Sequence, residues 1–201
     1  MQNSFSYFIH QKKVPDNIFN ELSHVISDQR IPHNQNLAGN LEKEFNLTQY
    51  RYILNDFVIS SIIEHKGLNN HLKESNYLAV DEIISLDSLW VNYQKKHEFN
   101  PIHKHDGLFS FVLFYQIPWS KEKMLSLSPG KNSVLNLAGV LEFIFPSLQG
   151  INSYHVFADK TYEKQILIFP ANLYHCVYPF YGVDEYRITL SGNVTFNNAK
   201  S

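Results

Sequence analysis

The chain has 201 residues, with 17 Lys or Arg against 19 Asp or Glu and a formal net charge of −2. That length suits one well-buried domain, and the scattered cations form none of the basic stripes that a phosphate backbone demands, which speaks against nucleic acid as partner or substrate. The single cysteine, Cys176, leaves no internal disulfide and fits a reducing compartment. The opening MQNSFSYFIHQKK lacks the basic-then-apolar order of a signal peptide, and no apolar run reaches the roughly 20 residues of a spanning helix. The expectation is a cytoplasmic protein with no membrane partner.

Residues 5–10 have the makings of a short strand. Behind Pro15 and Asp16, the residues Ile18, Leu22, Val25 and Ile26 recur at helical spacing, which predicts an amphipathic helix over 16–28. The segment 31–46 is polar and punctuated by Pro32, Asn34, Asn36, Gly39 and Asn40, so it reads as a loop with a short turn, one able to touch an active site. From Thr48 a second helix is signalled by Ile53, Leu54, Phe57, Val58, Ser61 and Ile62 on one face, with Gly67 as its stop. Such a face normally covers a sheet.

Beyond Tyr77 the period changes to two, and the 15 Phe and 12 Tyr fit a sheet-rich core. Strands are predicted at 78–86, 88–95, 107–118, 138–145, 153–158, 164–169, 174–179 and 185–195, with 119–137 as a candidate lid or substrate loop. Eight short strands predict a mainly β fold: a double-stranded β-helix (jelly roll, cupin-like) with N-terminal helices packed on one sheet. The chain reads as one domain, helical over 1–77 and sheet over 78–196, without repeats or linkers.

The chemistry is concentrated in WVNYQKKHEFNPIHKHDGLFSFVLFYQIP, in LIFPANLYHCVYPF and in EYRITLSGN. Side chains at i and i+2 of an extended strand share a face, so His103 and His105 can aim two imidazoles into one cavity while Lys104 points away. His175, from a distant strand, would complete a facial set of three metal ligands with positions left open for substrate, cosubstrate and O₂. Taken alone, a His-x-His on a half-exposed strand is more often incidental, and His175 beside Cys176 more often a packed core residue. Asn100-Pro101 and Gly107 shift the balance by placing the pair at a strand end. No phosphate loop or serine nucleophile elbow competes, and Cys176 belongs on the opposite face from His175.

Over residues 88–195 the pieces WVNYQ, NPIHKH with SFVLFYQIP, FPANLYHCVYP and YRITLSGN resemble the 2-oxoglutarate and Fe(II)-dependent oxygenases, and within them a group met in marine phages and bacteria. The resemblance implies iron, O₂ and 2-oxoglutarate, with His103 and His175 as metal ligands and Arg187, twelve residues beyond His175, as the anchor of the cosubstrate's far carboxylate. A planar guanidinium suits that task because it donates two parallel hydrogen bonds, and Thr189 on the same strand face could add a hydroxyl. The bland reading of Arg187 is a surface ion pair with Asp184 or Glu185.

The family's carboxylate ligand is missing from its usual place, which His105 occupies. Three readings follow: a three-histidine site of His103, His105 and His175; a bulge that turns Asp106 inward to restore a carboxylate; or a site that no longer binds metal. Weaker cosubstrate contacts are Asn92 or Tyr93, of which only one can face inward, and Tyr115; Ser191 and Asn193 share the face of Arg187. The implied activity is hydroxylation of a C–H bond in a small molecule or protein side chain with release of succinate and CO₂, in the host cytoplasm if a phage encodes the chain. The alternatives are a non-catalytic jelly-roll binding or structural protein, and a three-histidine iron dioxygenase that does not use 2-oxoglutarate.

Overall fold

The computed structural model describes residues 8–28, 30–74, 84–148 and 150–196; the predicted strand residues 5–7 and 78–83 lie outside them. Strand β1 (His10–Lys13) leads into helix α1 (Asp16–Val25), and β2 (Lys43–Asn46) precedes α2 (Tyr52–Glu64) and α3 (Lys66–Glu74). The remaining elements are β3 (Ile84–Gln94), β4 (Asn100–His103), β5 (Phe109–Gln116), α4 (Lys121–Leu127), β6 (Leu141–Ser147), β7 (Gly150–Val156), β8 (Gln165–Pro170), β9 (Tyr174–Val177) and β10 (Arg187–Phe196). The strands form two sheets, one ordered β1-β8-β5-β10-β3-β2 and the other β4-β9-β6-β7, and each neighbouring pair is antiparallel.

Alternation along the large sheet decides what each face does. Val91, Phe109, Leu113, Ile166, Ile168, Leu190 and Val194 point to one side, where they form a common core with Leu22, Leu54, Val58, Ile62 and Leu68 of the three N-terminal helices. Each such aliphatic side chain contributes about 1.5–3 kcal/mol on burial, and together they offset much of the ordering cost of the helices. The opposite side, carrying Phe114, Leu167 and Phe169, meets Leu141 and Phe143 of the small sheet. At one end of that inner face the residues turn polar: Glu44, Asn92, Gln94, Arg187 and Thr189 are all buried.

Several expectations are revised. The second helix ends at His65, whose extended backbone breaks it, and Gly67 sits inside α3 rather than stopping α2. That helix exists because Leu68 and Leu72, four apart, are both buried. The predicted strands on either side of residue 87 are one strand: pairing steps from Asn193 opposite Ser88 to Val194 opposite Leu86, leaving Asp87 as a bulge. The polar loop over 31–46 contains β2 and a 3₁₀ turn at Asn34–Asn36. Residues 119–137 hold α4, anchored by buried Trp119 and Met124, and none of them lines the cavity beside His103, His105 and His175, so they are no lid over it. Among the described residues no helix is long and apolar enough to cross a membrane.

Candidate metal centre

Strand β4 pairs with β9 so that His103 stands directly opposite His175. The strand ends there, and His105 is delivered by the following turn, its amide donating to the Ala171 carbonyl at 2.9 Å. Gly107 then reverses the chain with φ of 107°. The three rings converge, with centroids 4.3 Å apart for His103 and His175, 5.0 Å for His103 and His105, and 5.1 Å for His105 and His175. One nitrogen from each lies within 4.8 Å of the others.

The donor chemistry fits a divalent metal. His103 Nδ1 lies 2.7 Å from the Pro101 carbonyl oxygen and His175 Nδ1 lies 2.9 Å from that of Leu173. A carbonyl only accepts, so both Nδ1 atoms carry the proton and each Nε2 keeps its lone pair, the backbone-buttressed tautomer found in metal-binding histidines. Burial, reinforced by the neighbouring His103, pushes His175 down to about 3 and His105 down to about 4, and burial also lowers His103. All three imidazoles are therefore neutral near pH 7, which is the state a metal needs.

Asp106 is exposed, lines a surface groove with Lys104, His105 and Gly107, and is not part of the three-histidine cluster. The bulge that would have turned it inward does not form, and His105 occupies the place instead. Gly107 is part of the reason. A Cβ there would stand 2.9 Å from the Val194 carbonyl oxygen in a backbone conformation that L-residues avoid. Gly107→Ala is expected to cost about 1–3 kcal/mol in denaturant unfolding and to weaken metal binding through displacement of His105; unchanged stability would show that the turn is not what seats the ring.

The histidines open onto a cavity of roughly 650 Å³, its mouth included, lined also by Leu37, Gly39, Glu44, Trp90, Asn92, Gln94, Asn100, Arg187, Thr189 and Ser191. Arg187 is 2% exposed, donates from Nη1 to the Gly139 carbonyl at 3.2 Å and lies over the Phe114 ring at 5.6 Å, while its Nε has no partner. Burial lowers it to about 10, so it remains cationic at neutral pH. The alternative reading of Arg187, a surface ion pair with Asp184 or Glu185, does not describe this buried side chain, and Asp184 pairs instead with Lys96. Asn92 donates to Thr189 Oγ1 at 3.3 Å and Ser191 Oγ at 3.4 Å.

Two expected cosubstrate contacts face away from this cavity. Tyr93 is buried against the helices and donates its hydroxyl to the Ile26 carbonyl at 2.6 Å. Tyr115 stacks on Phe19 and donates to Ser23 Oγ at 3.1 Å, also on the helix side. Asn193 shares the face of Arg187 but is engaged by Ser110 at 2.7 Å. Cys176 points away from the histidines toward Glu142, at 3.6 Å, and burial pushes its thiol up to about 11, far from a nucleophilic thiolate. Glu44, Gln94 and Trp90 were not anticipated; Glu44 lies in a four-residue strand within the segment read as a loop.

Residues 88–193, more than half of the chain, match the model of a family described as "Putative 2OG-Fe(II) oxygenase", and the match marks off no narrower phage or marine group. None of the curated proteins matches the chain. Among solved structures, a prolyl-4-hydroxylase from Pseudomonas putida aligns with a TM-score of 0.53 at 12% identity over 92% of this chain and 90% of its own. A 2OG-Fe(II) oxygenase family oxidoreductase from Burkholderia pseudomallei aligns at 0.48 and 12% identity, over 92% and 84%. At such identity the first likeness concerns the fold alone, two antiparallel sheets with N-terminal helices. The family match covers every histidine of the cluster and Arg187, and on that ground the chain belongs to the 2OG-Fe(II) oxygenase family.

Proposed function

We propose that this chain is a non-haem iron oxygenase, built as a single jelly-roll domain, whose metal ligands are His103, His105 and His175. The observation that carries the reading is the convergence of three neutral imidazoles with no carboxylate among them. Ferrous iron held there would supply positions for O₂ and a chelating ligand, together with the redox change that oxygenation of a C–H bond requires. Three neutral ligands leave its full +2 charge uncompensated, which favours an anionic ligand in the open positions. The protein's part is to fix the imidazole tautomers, exclude water from a narrow cavity and orient what enters it.

A second reading, with 2-oxoglutarate as cosubstrate and succinate and CO₂ as its products, is favoured by Arg187. A buried guanidinium with a free Nε on the cavity wall is suited to grip a carboxylate, with Thr189 beside it as a hydroxyl partner. Anaerobic titration with Fe(II) and then 2-oxoglutarate separates the readings. A weak visible charge-transfer band that appears only with both, and is lost in Arg187→Ala while iron still binds, supports the second. Iron binding without that band, and oxygen uptake without succinate, leaves a three-histidine dioxygenase of other cosubstrate chemistry. Failure to bind iron leaves a jelly roll used for binding or structure.

A further inference from the structure

The cavity has a second charged wall that the metal cluster and Arg187 do not use. Glu44, on β2, is 1% exposed, lines the cavity, and neither of its carboxylate oxygens has a hydrogen-bond partner. It is paired in register with Asn92, whose amide nitrogen donates to Thr189 and Ser191 while its Oδ1 is likewise buried and without a partner. Gly39 packs against the carboxylate: a Cβ at that position would lie 2.7 Å from Glu44 Oε1, and also 2.5 Å from Leu41 Cδ1 and 3.0 Å from Asn100 Oδ1. Arg187 does not neutralise the carboxylate, since it belongs to the far side of β3, opposite Gln94, and no ion pair joins the two. Two strand spacings, roughly 10 Å of backbone, separate β2 from β10.

Buried acceptors with nothing to accept from are costly, and a site that gathers three such oxygens is shaped for a ligand that brings donors. We infer that Glu44 and the side-chain carbonyl of Asn92 form a cation subsite that holds a protonated amino nitrogen of the substrate. The ammonium group supplies three N–H donors and the countercharge that the carboxylate lacks, which points to an amine, an amino acid or a lysine-like side chain. Glu44 lies outside the 88–193 segment that matches the family, whereas Asn92 lies within it. That the bound amine is the molecule to be oxidised rests on the oxygenase reading above; that Glu44 binds an amine does not.

The test uses the full chain and two matched probes, butylammonium chloride and 1-butanol, followed by calorimetry or ligand-observed NMR at pH 8. Saturable binding of butylammonium and none of butanol is expected, with at least a tenfold loss in Glu44→Gln and a smaller loss in Glu44→Asp, both variants being checked for cooperative melting. Equal binding of the two probes, unchanged binding in Glu44→Gln, or no saturable binding of butylammonium by the wild type overturns the subsite. Because neither probe needs metal, a chain that binds butylammonium through Glu44 but takes up no Fe(II) would sink the oxygenase reading alone.

Discussion

His175→Ala should lose Fe(II), or Co(II) as an air-stable probe, by a factor of about a hundred or more, since even the outer supports of metal ligands are worth 10- to 100-fold. His175 is 5% exposed and packs against the other two imidazoles and Phe169, and among the described residues no other His, Cys, Asp or Glu joins the cluster to replace it. His103→Ala and His105→Ala should follow it, whereas Asp106→Ala should leave affinity within a few-fold of the wild type. If Asp106→Ala abolished binding and His105→Ala did not, the three-histidine set would be wrong and the turn at Gly107 would have to rearrange on metal binding. Equilibrium titration under anaerobic conditions reads both.

Glu44→Gln should stabilise the ligand-free chain, and by an amount that grows with pH. Burial, with a smaller push from Glu98, raises Glu44 from an ordinary 4.5 to about 7. Below that lower value both folded and unfolded chains hold the proton and no penalty exists. Between the two values the unfolded chain releases the proton while the folded chain keeps it, so each step upward in pH removes stability. Above about 7 both are ionised and the penalty is constant. The difference between variant and wild type should therefore widen by roughly 3 kcal/mol across this window, or about 6–12 °C in melting temperature for a domain of this size. A flat difference from pH 4 to 8 would mean that the carboxylate finds a partner or water in solution. The variant comparison cancels the contribution of the buried histidines, which runs the other way: held neutral in the fold, they lose stability as pH falls below their ordinary 6.5.

The helices and most strands were legible because period 3.6 and period 2 are strong signals over ten residues, as in Ile53 to Ile62 or Phe109 to Gln116. Parity was harder. Asn92 and Tyr93 could not be told apart because the bulge at Asp87 shifts the strand by one residue, and a one-residue slip exchanges its two faces. Tyr115 could have been placed, since it shares parity with Phe109, Phe111 and Leu113, all buried on the helix side. Strand β2 was illegible: Lys43, Glu44, Phe45 and Asn46 become a strand only by pairing with Tyr93, Asn92, Val91 and Trp90, a tertiary fact with no local signal. The metal cluster was readable as residue types and spacing, but the opposition of His103 and His175 depends on a register between strands some 70 residues apart.

Strand β10 writes two messages in alternate letters. Ile188, Leu190 and Val194 speak to the helices and keep the fold, while Arg187, Thr189 and Ser191 speak to the cavity. Descent with modification can therefore rewrite every second residue of this strand, changing what the protein accepts, while the intervening residues hold the architecture constant.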